Sequence, residues 1–245
     1  MHEDDRPVGR FLTRREALAL LGSSGLALAI GAPLLVSRTS AAASGAGCIV
    51  RPEQTEGPFF VDEELDRSDI RSDPATGVVC PGVPLTLTFV VSRLGSSGCV
   101  PLVGAQVDVW HCDRNGHYSD VNDSRLDTTG KKFLRGYQRT NDAGRASFQT
   151  IYPGWYAGRA VHIHFKIRTP AQQAARASEF TSQLYFLDAL TDRVHRLDPY
   201  AENRGHRLRN PEDGLYRRGG SQLELAPAPV PPGYAAEFRV ALQLG

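Results

Sequence analysis

Within nine residues, "YAGRAVHIH" from Tyr156 to His164, the chain carries a phenol, a guanidinium and two imidazoles. His162 and His164 are one residue apart. Alternate side chains of a β-strand share a face, so Val161, Ile163, Phe165 and Ile167 fall on one side and both imidazoles on the other. Two imidazoles aimed at one point can take two adjacent positions on a metal ion. The same spacing also suits a solvated strand face, because Lys166 shares the histidines' parity, so the pair alone leaves metal binding open. A two-histidine, one-carboxylate site expects an acidic residue soon afterwards. None follows before Glu179.

Nearby phenols sharpen the chemistry. Tyr156 stands in a Pro-Gly turn six residues before His162, and Tyr118 lies in "DRNGHYSD". A phenol ionises near pH 10, but a strongly Lewis-acidic cation deprotonates it outright. Two phenolates and two neutral imidazoles make a hard, anionic donor set that favours Fe(III), non-haem.

The elements that must position these groups read as strands. "VPLTLTFVVS" alternates Val83, Leu85, Leu87, Phe89 and Val91 with mostly polar partners, and "AQVDVWH" sets Ala105, Val107 and Val109 on one face. "RASFQT" and "SQLYFLDA" are further strands, and "YAAEFRVALQL" places Tyr234, Ala236, Phe238, Val240 and Leu242 together. Turn clusters such as "LGSSG", "DRNG", "NDAG" and "PPG" separate them. Helical periodicity is scarce; only "TPAQQAARASEF" is a candidate short helix or irregular linker, and "APAPVPP" reads as an extended spacer. The pattern predicts an all-β, two-sheet β-sandwich over 82–245, preceded by an irregular N-terminal arm over 44–81 laid across it.

In order and spacing, "TEGPFF", "VDVWHCDRNGHYS", "LRGYQRTNDAGRASFQTIYPGWY" and "GRAVHIHF" resemble the intradiol ring-cleavage dioxygenases across Thr55 to Phe186. The resemblance implies a β-sandwich enzyme that opens catechol-type diols with O2 between the two hydroxylated carbons, giving muconate-type diacids. It makes Tyr118, Tyr156, His162 and His164 the ligands of a ferric ion, with Tyr156 the phenolate that leaves when substrate binds. It makes Arg159 the cationic group beside the substrate ring and puts Gln183 near the bound diol. Trp155, next to a proposed ligand, is the better pocket wall; Trp110 could be core or wall. His111, His117, His195 and His206 are read as non-ligands, and Tyr137, Tyr152, Tyr185 and Tyr234 as packing aromatics. Only five residues separate Tyr156 from His162, where catechol and protocatechuate enzymes carry longer loops. That compactness resembles an exported branch of the family and leaves the preferred diol and homodimer formation open.

Composition bounds the alternatives. Of 245 residues, 28 are Lys or Arg and 27 Asp or Glu, and no basic run suggests nucleic acid or an anionic membrane as a partner. Residues 1–43 have the layout of an export signal, with Arg14 and Arg15 before an apolar Ala/Leu/Gly stretch in the manner of twin-arginine signals. The expected destination is periplasmic or extracellular, an uncleaved membrane anchor being the alternative. Four cysteines, Cys48, Cys80, Cys99 and Cys112, permit two disulfides in an exported chain, and none has zinc-motif spacing. Two other functions compete: a secreted non-enzymatic β-sandwich binding small ligands or carbohydrate, which predicts a colourless, metal-free protein, and a colourless zinc hydrolase using the two histidines.

Overall fold

The computed structural model describes residues 48–123, 126–169, 178–203 and 205–244. The expected export signal, and most of the candidate helix "TPAQQAARASEF", lie outside the described residues. In chain order the strands are β1 (Pro84–Gly95), β2 (Gly98–Pro101), β3 (Gln106–Trp110), β4 (Asn122–Asp123), β5 (Leu126–Asp127), β6 (Arg135–Arg139), β7 (Arg145–Ile151), β8 (His162–Thr169) and β9 (Ser178–Phe186). A short helix, α1 (Asp188–Val194), follows, and then β10 (Glu224–Leu225), β11 (Ala228–Val230) and β12 (Gly233–Leu242).

Two five-stranded sheets form the sandwich. In the first, β1 is central: it runs parallel to β12 on one side, while its other side pairs antiparallel with β7 and then with β2. The second runs β10-β9-β8-β3-β6, so β8 and β3 occupy its middle. Alternation along β1 sends Leu85, Leu87, Phe89 and Val91 into the interior, where each is wholly buried. Phe89 meets Phe148 and Phe238 of its own sheet and Phe165 of the facing one, at centroid distances of 6.1, 6.0 and 5.2 Å. Burial of such rings, worth about 2–3 kcal/mol each, is what clamps the two sheets together.

That packing decides which way β8 faces. Ile163, Phe165 and Ile167 are claimed by the core, so His162, His164 and Lys166 must point to the outer face of the second sheet. That face is not solvated, because the N-terminal segment crosses it and buries all three. Lys166 pairs with Glu56 at 2.6 Å and lies 4.3 Å from the centroid of Phe60, while Arg168 binds Asp62 at 2.6 Å. Backbone bonds fix the segment at both sheets: Gln54 N donates to Thr181 O, and Ala241 N to Ile49 O.

Three sequence expectations change. One disulfide forms among the described residues, not two: Cys48 bonds Cys99 and so ties the arm to the β1–β2 hairpin. Cys80 and Cys112 remain thiols. Cys112 is packed with Trp110, Tyr118 and Tyr156, while Cys80 is held in the arm by its N–H to Arg71 O. The "SQLYFLDA" strand stops at Phe186, and α1 begins at Asp188, where Leu190, Thr191 and Val194 bury one side of a helix too short to show a period in sequence. "APAPVPP" is partly a strand, β11, paired antiparallel with β12. No helix among the described residues is long and apolar enough to cross a membrane.

Candidate metal centre

His164 lies beside Trp110 of β3 and Gln183 of β9, and His162 beside Tyr185 of β9, so one patch of sheet supplies both imidazoles and their neighbours. The two phenols arrive on loops. Tyr118 follows β3 through a turn in which Asp113 Oδ1 accepts from Asn115 N and His117 N, and Tyr156 sits on the connection into β8. Two glycines let these loops lie back to back. A Cβ on Gly154 would stand 2.3 Å from Arg114 O, and one on Gly116, at φ 87°, 2.2 Å from Trp155 O. Either distance is impossible for an unmoved backbone, so only glycine brings both tyrosines to the same place.

Four polar atoms converge there. His162 Nε2 is 3.0 Å from His164 Nε2, 3.3 Å from Tyr118 Oη and 3.4 Å from Tyr156 Oη. His162 Nδ1 donates to Ala160 O at 2.7 Å, so its Nε2 carries a lone pair aimed at the other three. Burial, reinforced by the Arg159 charge, holds His162 well below the usual imidazole range; burial and then His162 and Arg159 do the same to His164. Both rings are therefore neutral, the state in which imidazole binds metals. Burial, with the neighbouring Tyr156 and Cys112, pushes the Tyr118 phenol well above its ordinary value, so only a cation would ionise it.

A metal fits this donor set. Ligand atoms about 2.1 Å from an ion and about 90–109° apart are separated by about 3.0–3.4 Å, the spacing found here. The Ala160 carbonyl behind His162 is the kind of outer partner that orients a ligating imidazole. His164 is held differently, stacked on Trp110 at 5.1 Å and 10°, while its buried Nδ1 has no partner among the described residues. Phe59 of the arm stacks on Tyr118 at 4.4 Å. Phe59 and Trp110 thus wall the centre, whereas Trp155 packs against the main sandwich core.

Arg159 is buried beside the four. It donates from Nε to Asp213 Oδ2 at 3.0 Å and from Nη2 to Gln183 Oε1 at 2.6 Å. Gln183 Nε2 is engaged by Thr55 O of the arm, which fixes the amide so that its oxygen faces Arg159. Tyr185 completes the network, its hydroxyl donating to Gln54 Oε1 at 2.8 Å. Burial would lower the Arg159 pKa, but Tyr156, Tyr185 and Asp213 more than offset it, and the guanidinium stays charged.

Residues 55–208 match the family model described as Dioxygenase. The fold superposes on an intradiol ring-cleavage dioxygenase from Tetranychus urticae with a TM-score of 0.68 and 28% identity, covering 80% of this chain and 95% of that one. The chain belongs to the intradiol ring-cleavage dioxygenase family. Another structural neighbour is the dioxygenase domain of a dioxygenase–carbohydrate-binding fusion from Streptomyces sp. SirexAA-E, with a TM-score of 0.56, 28% identity, and coverage of 80% and 99%. Catechol 1,2-dioxygenase from Candida albicans is 34% identical over 137 residues, 46% of this chain and 41% of the relative. The chain thus spans less than half the length of the curated relatives it matches.

Within this intradiol family member the structure brings Tyr118, Tyr156, His162, His164, Arg159 and Gln183 into one site, and leaves Trp155 at its margin. His111, read as a non-ligand, is bonded to Thr150 Oγ1 and Cys112 O, and His195 to Pro153 O. Tyr185, expected only to pack, is part of the polar network; its shared parity with Gln183 in "SQLYF" was the available signal. Asp213 and Gln54 had none, since each reaches the site from a distant, irregular part of the chain.

Proposed function

We propose that this chain uses O2 to open a catechol-type diol between its hydroxylated carbons, with a non-haem ferric ion held by Tyr118, Tyr156, His162 and His164. The meeting of two phenol oxygens and the His164 Nε2 nitrogen within 3.0–3.4 Å of His162 Nε2 carries the reading. Bound there, the ion would supply the Lewis acidity that ionises the phenols and activates the diol ring. The catechol 1,2-dioxygenase name of the Candida relative supports the substrate class.

The chain's own groups have distinct duties. Tyr118, pinned under Phe59, is the permanent phenolate. Tyr156, the less buried of the two at 9% exposure against 3%, would be the phenolate that gives way to the diol, its Oη then able to hold one of the diol's protons. Arg159 stabilises negative charge that develops on the ring, a preorganised role that gains strength from burial. Gln183 and Asp213 keep the guanidinium from turning away. Phe59 and Trp110 exclude water from the reacting face.

Aerobic turnover of catechol, hydroxyquinol and protocatechuate by the iron-loaded protein tests the reading. Oxygen uptake with a muconate-type diacid as product, from a red-brown protein, is the expected result. No uptake with any diol despite full ferric loading would reject it.

A further inference from the structure

Asp213 comes from outside the matched residues 55–208 and from outside both sheets. It lies between two short 3-10 turns, Asn210–Glu212 and Tyr216–Arg218, and its side chain is wholly buried. Asn210 anchors this segment to the sandwich by donating from Nδ2 to Phe186 O at 2.8 Å. Both carboxylate oxygens are fully used. Oδ1 accepts from Leu215 N at 2.7 Å and Tyr216 N at 3.1 Å, which fixes the carboxylate in its own turn. Oδ2 accepts from Arg159 Nε at 3.0 Å and from Ala160 N at 2.8 Å, which fixes the guanidinium and the backbone that supports it. Ala160 is also the residue whose carbonyl orients His162.

We propose that Asp213 is a positioning residue for ring cleavage, holding Arg159 by its Nε edge so that Nη2 stays on Gln183 and the charge stays beside the phenols. The proposal rests on the role given to Arg159 above. A guanidinium grips a carboxylate or an amide only in a fixed plane, so a rigid contact on one edge dictates where the other edge points. Asp213 does this without touching the diol. It also supplies the counter-charge without which a buried guanidinium would be unpaired. An Asn at 213 would set an amide N–H₂ against N–H donors on one side, removing the charge and disturbing the grip while conserving volume.

Steady-state oxygen uptake with catechol is compared in iron-loaded wild type, Asp213→Asn, Arg159→Gln and the double variant. Misplacement of a charged group by about 1 Å costs on the order of 100-fold, so Asp213→Asn is expected to lower kcat about 100-fold with KM changed less than about threefold. Its tyrosinate-to-iron absorption band should stay at the wild-type position, because the four ligands remain. In the Arg159→Gln background the same substitution should add less than about threefold, since it acts through Arg159. A folded Asp213→Asn protein with wild-type kcat overturns the proposal, as does a double variant in which the two losses multiply. If Arg159→Gln alone keeps wild-type turnover, the role of Arg159 fails and the proposal with it, whereas absence of uptake in wild type defeats the dioxygenase reading itself. Should Asp213→Asn not fold, Asp213→Glu, which keeps the charge but shifts it by one methylene, is expected to lose at least tenfold in kcat with the band retained. An unchanged kcat there counts against the proposal equally.

Discussion

Glycine at two positions does as much for the candidate centre as the four side chains that converge there. Tyr118 and Tyr156 meet only because Gly116 and Gly154 let their loops touch through the backbone. Gly154→Ala inserts a methyl 2.3 Å from Arg114 O and 2.4 Å from Asp113 O, and neither acceptor can swing aside as a side chain would. Overpacking of this kind costs about 1–3 kcal/mol, and here it separates the two phenols. The variant should therefore fold, melt a few degrees lower, and bind clearly less iron per chain than wild type, read by metal analysis and by the visible band. Wild-type iron content in Gly154→Ala would show that the loops do not set the phenol positions. The histidine spacing and both tyrosines stood out from sequence, but the glycines that bring them together looked like ordinary turn residues, because a close approach is visible only once the partner backbone is in place.

At the scale of elements, the arm is the least regular part and the one the site leans on most. It supplies Phe59 against Tyr118, Thr55 O to Gln183, Gln54 to Tyr185 and Glu56 to Lys166. Arg135 of β6 grips it from the other side, donating to the Phe59 and Val61 carbonyls and to Ser119 beside Tyr118. Six residues before Gln54, the Cys48–Cys99 bond closes a loop of sequence separation 51, and a cross-link of that span stabilises by about 2–4 kcal/mol, chiefly by restricting the unfolded chain. The Cys48→Ser, Cys99→Ser pair is accordingly expected to unfold at lower urea concentration with a somewhat steeper slope, because the uncross-linked chain exposes more surface when it unfolds, and to retain the visible band when folded. Loss of the band in folded protein would mean instead that the cross-link positions the arm over the centre. The strands were legible because β1, β3 and β12 alternate cleanly; α1 was not, because a seven-residue helix presents a single buried stripe of Leu190, Thr191 and Val194.

For the molecule as a whole, buried titratable groups set the response to acid. Burial holds His111 and His195 at about 4, against an ordinary 6.5. The unfolded chain therefore binds more protons than the folded one between these values, and the stability present above pH 6.5 is lost as pH falls towards 4. Each histidine contributes on the order of 2–3 kcal/mol to that loss. Asp108 runs the other way: burial raises its carboxyl to about 6, so its contribution is greatest at low pH and fades as pH rises through 6. The two histidines outweigh it. Urea midpoints of the iron-free protein should drop between pH 7 and pH 4.5, and His195→Gln should flatten part of that slope. A midpoint that is level across the range would contradict the burial argument.

By itself the sequence determined the all-β class and the face of β8 on which His162 and His164 lie, because period-two alternation is a local property, and it singled out the side chains of the candidate centre by their chemistry and by the family resemblance. It could not determine that the histidine face is buried under the arm, that one cysteine pair bonds while the other stays reduced, or that Asp213 and Gln54 reach Arg159 and Tyr185. Those facts depend on which distant segments share space, and only closure of the sandwich, driven by the rings around Phe89, brings them together.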